Sequence, residues 1–301
     1  MLFKLVRLLR ELRETVKHMI VAVAGGKGGT GKTTVAASLA FLLSRRAKVL
    51  LGDIDVDNPC SYTLLGIELK LFREIYAYRP VVDESACKLC GLCANYCPVH
   101  ALVVIPGKKL IFVETLCEGC GLCEAVCPHQ AIREGKTTIG YLKTGSIKNL
   151  DLIVGELKPG SRKYHEVAEE TMREILKKTD DYDFTLIDCP PGTGFSVAEA
   201  IKHSDLVVAV TEPSRLGIYD LVKFKKLVEL YGKKLIVVAN KYGLPGGTYK
   251  ELEKIAPDSY KIPYDDSLVK AYIRGKTVVE AYPDSPSAKA LEKLSQLLLK
   301  I

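Results

Sequence analysis

The sequence predicts an α/β fold: a doubly wound, mostly parallel sheet with a small α+β module inserted into it. Three observations predict it. Short apolar runs at residues 19–24, 48–51, 183–188, 206–211 and 234–240 alternate with segments of helical periodicity, the rhythm of strands joined by crossover helices. Two of these runs end in aspartates, where the ligand crevice of an open parallel sheet lies. Between residues 87 and 127 the rhythm breaks, and eight of the ten cysteines crowd into two tight runs.

Length and composition bound the rest. A chain of 301 residues, 48% of them hydrophobic, holds one large core plus something smaller. No stretch of 18 or more uncharged apolar residues occurs, so no membrane-spanning helix is expected. The first residues lack an apolar region with a small-residue cleavage site, so no secretory signal is expected. Clustered cysteines do not form the spread framework of an extracellular disulfide protein, and the expected setting is a reducing cytoplasm. Two Gln and four Asn in the whole chain, beside abundant Lys and Glu, hint at a thermophilic source. The net charge of +7 is uneven: residues 81–135 carry six acids and four bases, hence −2, which leaves +9 for the remainder.

Residues 1–18 read as a basic amphipathic helix, with Leu2, Leu5, Leu9 and Leu12 near one face and Arg7, Arg10 and Arg13 elsewhere. Such a helix suits packing on the protein's own domain, or an anionic membrane surface. The apolar run 19–24 then leads into Gly25-Gly26-Lys27-Gly28-Gly29-Thr30-Gly31-Lys32-Thr33-Thr34, followed by a helical segment at 35–43. Gly26-x4-Gly31-Lys32-Thr33 is a Walker A loop. Its glycines let backbone N–H groups close on phosphates, Lys32 reaches the β and γ oxygens, Thr33 ligates Mg²⁺, and the helix aims its positive end at the nucleotide. Gly26 through Thr34 are therefore the candidate ATP cradle.

Lys27 is a second lysine that a simple Walker A loop does not require. With it the loop resembles the deviant Walker family of MinD, ParA, the Mrp-type iron–sulfur carriers and the nitrogenase iron protein. That resemblance extends over nearly the whole chain from Met19 onward. It implies a P-loop ATPase that works as a nucleotide-dependent homodimer, in which Lys27 reaches across to the other subunit's nucleotide. The run at 48–51 ends in Asp53-Ile-Asp55-Val-Asp57. By the resemblance Asp55 orients or deprotonates the attacking water and joins Thr33 at Mg²⁺, while Asp53 or Asp57 assists through metal-bound water.

The cysteines come next. Cys87-x2-Cys90-x2-Cys93-x3-Cys97-Pro98 recurs thirty residues on as Cys117-x2-Cys120-x2-Cys123-x3-Cys127-Pro128, and each copy has the spacing of a bacterial ferredoxin. Three closely spaced thiolates wrap three corners of a cubane, and the fourth reaches the other cluster. The expected ligands are Cys87, Cys90, Cys93 and Cys127 for one 4Fe-4S cluster, and Cys97, Cys117, Cys120 and Cys123 for the second. Structural zinc is the rival, but zinc ribbons lack the third cysteine and the trailing proline. Residues 102–105 and 110–113, joined by Pro-Gly-Lys-Lys, suggest a hairpin. His100 and His129 follow the Cys-Pro pairs and are expected beside the clusters rather than on them.

Strands resume at 137–154 and a helix at 164–177. The run 183–188 ends in Asp188, which fits the Walker B aspartate at Mg²⁺, and the Cys189-Pro-Pro-Gly-Thr-Gly segment resembles the nucleotide-sensing switch of Mrp-type proteins, with Gly192 giving backbone N–H and freedom. By the same resemblance Asn240 recognises adenine and Pro263 flanks the base. Helices are expected at 267–274 and 287–300. Cys60 and Cys189 stay outside both cysteine runs; they are small buried residues or, alternatively, part of an interfacial cluster.

The expected organisation is a helix at 1–18, a MinD-like ATPase domain of residues 19–79 and 138–301, and a ferredoxin domain at 80–137. The expected function is an ATPase cycle coupled to electron transfer through two clusters toward a redox protein. The alternatives are assembly or carriage of a metallocofactor for another protein, and a positioning ATPase that binds membrane or nucleic acid.

Overall fold

The computed structural model describes residues 18–300 and resolves into two compact units. The first runs to Phe72 and continues through Leu142–Glu156 and from His165 onward; the second comprises Arg73–Tyr141 and Leu157–Tyr164. The amphipathic helix expected at 1–18 lies, apart from His18, outside the described residues.

Among the described residues the strands are β1 (Met19–Ala24), β2 (Val49–Asp53), β3 (Lys70–Val82), β4 (Leu102–Ile105), β5 (Lys109–Phe112), β6 (Ile132–Ile147), β7 (Leu150–Leu157), β8 (Phe184–Asp188), β9 (Leu206–Thr211), β10 (Lys234–Tyr242) and β11 (Tyr260–Pro263). Nine of them form one sheet in the order β11-β10-β9-β1-β8-β2-β7-β6-β3. β1, β2, β8 and β9 are buried along their whole length, which is why they read as unbroken apolar runs rather than alternating ones. Each parallel pair from β11 to β7 is in register with its neighbour apart from one shift between β10 and β11. β2 and β9 lie on opposite sides of β1, so the winding reverses there and a crevice opens beyond the carboxyl ends. The register sets Val23 opposite Asp188, and Asp188 opposite Asp53, at that edge.

The helix Lys32–Leu43 follows β1 and is buried nearly all round. The helix Pro286–Leu298 packs against it, begun by Ser285, whose Oγ accepts from the Ala288 N–H at 3.2 Å, and by proline in the first turn. β3 was not legible as a strand. It is the last strand of the sheet, and an edge tolerates Pro80, which has no N–H to donate. β6 begins at Ile132 rather than near 137, and it returns through Lys148-Asn149 into β7, a two-residue connection that only antiparallel strands allow.

Gly25 closes β1 where the chain passes the β9 backbone, and a Cβ there would lie 2.4 Å from the Val210 carbonyl oxygen. Backbone cannot yield as a side chain can. Gly25→Ala is therefore expected to cost about 1–3 kcal/mol, read as a lowered denaturant midpoint of the nucleotide-free protein; an unchanged midpoint would contradict this packing.

In the second unit β4 and β5 pair antiparallel, Leu102 opposite Phe112 and Ile105 opposite Lys109. The hairpin starts its return strand one residue earlier than expected because Lys109 pairs with Ile105 and Gly107, at φ 65°, completes the turn. Leu102, Ile132, Cys93 and Cys123 form a small buried cluster with Tyr78, Leu110 and Phe112 against it.

Candidate nucleotide site and cysteine runs

The loop after β1 wraps into the start of the helix Lys32–Leu43, and Gly31 makes the junction in the left-handed region at φ 95°. A side chain at 31 would strike the Asn240 amide, whose Nδ2 donates to the Thr30 carbonyl at 2.8 Å. A cleft of about 460 Å³ opens here, within the usual size of ligand sites. Gly28, Gly29, Gly31, Lys32, Thr33, Thr34, Asp55, Asn240 and Pro263 line it, so residues more than 200 positions apart meet at one site. Gly26, Lys27, Thr30 and Asp188 do not line the cleft; Thr30 and Asp188 lie buried behind it. Pro191 rather than Gly192 reaches the cleft, while Gly192, at φ 100°, donates its N–H to the Gly25 carbonyl at 3.2 Å.

Lys32 is 6% exposed and donates to the Lys27 carbonyl at 3.1 Å. Burial lowers its pKa, opposed by the carboxylates of Asp188 and Asp55. Asp188 is wholly buried, and neither of its oxygens has a hydrogen-bond partner of normal geometry among the described residues, although the Thr33 side chain stands near enough to oppose the rise in its pKa. Burial, then the nearby Asp53 charge, drive its pKa well up. An orphaned buried carboxylate beside Thr33 and Asp55 fits the donor set of a hard, oxygen-preferring cation such as Mg²⁺. Asp55 is half-buried; burial raises its pKa and Lys32 counters. Asp53 differs from both. It accepts from Ser61 Oγ at 2.7 Å, from the Ser61 N–H at 3.2 Å and from the Asp55 N–H at 3.1 Å, so its oxygens anchor the turn that carries Asp55. Asp57 is exposed and does not line the cleft.

Sequence reasoning missed Glu212. It follows β9, and its carboxylate takes Lys27 Nζ at 2.5 Å and Lys241 Nζ at 2.8 Å. Burial alone would raise its pKa, but the Lys241 and Lys27 ammonium groups hold it at about 2 against the ordinary 4.5. A depressed folded-state pKa means that this carboxylate contributes stability above about pH 4.5 and loses it as pH falls toward 2. Glu212→Gln is thus expected to lower the denaturant midpoint above pH 5 and to match the wild type near pH 2; a difference independent of pH would refute the ion pairs.

Cys60 lines the cleft, and burial pushes its thiol up to about 11. Cys189 is fully buried, its thiol driven well up by burial, and its Sγ donates to the Ile187 carbonyl at 3.6 Å.

The cysteine runs repeat in structure as in sequence. Cys93 and Cys123 are buried, Cys90 and Cys120 exposed, and Cys87, Cys117, Cys97 and Cys127 intermediate. Left-handed residues recur at the same places: Leu89 and Gly119, Gly91 and Gly121, His100 and Gln130. The fourth cysteine of each run accepts a backbone N–H, Ala101 to Cys97 Sγ at 3.2 Å and Ala131 to Cys127 Sγ at 3.3 Å. One cavity is lined by Cys87, Cys90 and Cys93 together with Cys127 from the other run, so a fourth thiol crosses over. His129 lines that cavity as well. Tyr78 Oη sits 3.9 Å from Cys123 Sγ and donates to Glu124 at 3.1 Å. Among the described residues, no group of three or more His, Cys, Asp or Glu is placed to hold a metal ion, and no helix is long and apolar enough to cross a membrane.

Comparison with known proteins bears on the first of these sites. The CobQ/CobB/MinD/ParA nucleotide binding domain matches residues 21–278. An uncharacterized protein of Methanocaldococcus jannaschii is 36% identical over 266 residues, which cover 87% of this chain and 92% of that one. An iron-sulfur cluster carrier protein of Pyrococcus abyssi is 26% identical over 297 residues, 93% of this chain and 85% of its own. In fold, the septum site-determining protein MinD of Pyrococcus horikoshii, solved with Mg-ADP, superimposes with a TM-score of 0.61 at 20% identity, covering 94% of this chain and 99% of that one.

Proposed function

The chain belongs to the CobQ/CobB/MinD/ParA nucleotide-binding family, and from that premise we propose that it hydrolyses ATP as a nucleotide-dependent homodimer and couples this cycle to electron transfer through a dicluster ferredoxin-like module. The module corresponds to residues 80–137 and the ATPase to 19–79 and 138–301. The observation that carries the reading is a pair of matched sites in one polypeptide: a P-loop cleft backed by an orphaned Asp188, and a cavity where Cys127 joins the other run's first three cysteines.

In this reading the Gly26–Thr34 backbone and Lys32 hold the β and γ phosphates, and Asn240 takes the adenine with Pro263 beside it. Thr33, Asp55 and Asp188 would hold Mg²⁺, which would supply charge neutralisation at the phosphates. Asp55 orients water for attack on the γ-phosphorus, giving ADP and phosphate, and Lys27 of the partner subunit adds positive charge to the transition state. Gly192, tethered to Gly25, relays loss of the γ-phosphate.

Cys87, Cys90, Cys93 and Cys127 would hold one 4Fe-4S cluster and Cys97, Cys117, Cys120 and Cys123 the other, each supplying one-electron storage. What favours a cluster over zinc is the three closely spaced cysteines and trailing proline of each run, which zinc ribbons lack, together with Cys127 lining the cavity of the other run. The test is anaerobic purification with iron and sulfide counting, then EPR of the reduced protein with and without Mg·ATP. A nucleotide-dependent spectrum is expected; iron-free or zinc-loaded protein would end the redox reading, and identical spectra would end the coupling.

A second reading, delivery of a cluster to an acceptor, draws on the likeness to the iron-sulfur cluster carrier. It predicts loss of iron on incubation with an apo-acceptor. Clusters that stay bound while they cycle redox state favour electron transfer.

A further inference from the structure

Glu212 is a positioning residue rather than part of the cleft lining. One oxygen of its carboxylate takes the Lys27 ammonium at 2.5 Å and Ser214 Oγ at 3.1 Å; the other takes Lys241 Nζ at 2.8 Å. Lys241 also donates to the Gly29 carbonyl at 2.8 Å, so a single acid ties Lys27 near one end of the P-loop to a lysine bound at its middle. The Glu212 side chain is 11% exposed while those of Lys27 and Lys241 are 33% and 36% exposed, so the pairs are shielded from salt on the acid's side. The backbone is shaped around this acid: a Cβ at Gly217 would lie 2.5 Å from the Glu212 carbonyl oxygen and 3.2 Å from its Cγ.

We propose that Glu212 is a latch acting in cis: in the nucleotide-free protomer it holds the Lys27 ammonium against its own P-loop, and Lys27 must be released before it can serve across a dimer. This rests on the dimeric role of Lys27 given above. The competition is electrostatic. Lys27, Lys32 and Lys241 are the cations of the loop and its rim, and Glu212 neutralises two of them while the loop is empty. An arriving triphosphate brings several negative charges to the same loop and draws on the same cations, so Glu212's hold on Lys27 weakens when ATP is bound. A lysine bound at 2.5 Å to its own chain is not available to a second subunit.

The test uses the full-length protein at pH 7 with Mg²⁺ and a hydrolysis-resistant ATP analogue. Glu212→Gln keeps the side chain's shape and removes its charge. It is expected to lower the analogue concentration for half-maximal dimerisation about tenfold, measured by analytical ultracentrifugation. In a Lys27→Ala background the same change should have no effect. A second readout needs no dimer: labelling of the Lys27 amine in the nucleotide-free protein, quantified by mass spectrometry, should be low in the wild type and rise with Glu212→Gln. Lys241→Met, which loosens the same carboxylate but leaves the Lys27 pair intact, should keep Lys27 labelling low.

An unchanged or raised analogue requirement in Glu212→Gln dimers overturns the latch, as does labelling equally raised by Lys241→Met. If labelling rises as expected but no variant dimerises, the cis contact stands and the dimeric role of Lys27 falls, so the two failures are told apart.

Discussion

Replacing Lys32 with alanine is expected to lower ATP hydrolysis by about 10²–10³-fold, the scale on which loss of one preorganised charge-stabilising donor acts. The ammonium is buried, its pKa is pushed down by that burial, and among the described residues it donates to the Lys27 carbonyl at 3.1 Å and sits in the field of Asp188 and Asp55. A cation kept dry and under-partnered is poised for phosphate. Its removal relieves a desolvation cost but also takes away the cation facing Asp188 and Asp55, so the denaturant midpoint of the nucleotide-free variant is measured alongside to separate a catalytic loss from a folding defect. Lys32→Arg should not rescue, because the planar guanidinium does not fit a path shaped for a slender chain. The measurement is phosphate release at saturating Mg·ATP beside direct nucleotide binding. A loss of less than about tenfold would deny Lys32 its place at the phosphates.

The second large effect concerns the cysteines. Cys127→Ala is expected to reduce iron from about eight to about four per chain, and the EPR spectrum of the reduced protein should match that of Cys87→Ala rather than that of Cys117→Ala. The reason is the crossed cavity, where Cys127 joins Cys87, Cys90 and Cys93, with its sulfur oriented by the Ala131 N–H at 3.3 Å. Cys97→Ala, its counterpart with Ala101 at 3.2 Å, should remove the other half of the iron. If Cys127→Ala instead pairs with Cys117→Ala, each run closes on itself and the crossing is wrong. If no variant changes iron content, the clusters are elsewhere or absent.

Much of this was legible in the chain, because both motif sets are local. A glycine-rich loop between a buried strand and a helix needs no distant residue to be recognised, and β1 and the helix Lys32–Leu43 stand on either side of it. The spacing of the cysteines likewise carries its own geometry, repeated in the paired left-handed residues and N–H bonds to sulfur. β3 was not legible, since Pro80 argues against a strand until its place at the sheet edge is known. The resemblance alone set Asp55 apart from Asp53, with no physical difference in the pattern of the strand end. The structure supplies one: Ser61 engages Asp53, whereas Asp55 lines the cleft.

The sequence alone determined the alternation of buried strands and helices, the phosphate-binding loop and the repeated cysteine run, because periodicity, glycine freedom and ligand spacing act over a few neighbouring residues. The tertiary structure alone decided that Asn240 braces Thr30, that Asp188 lies buried opposite Asp53, and that Glu212 grips Lys27 from 185 residues away. Those contacts depend on strand order and register. Strand order follows from how the whole sheet buries its two faces, and no short stretch of the chain encodes that.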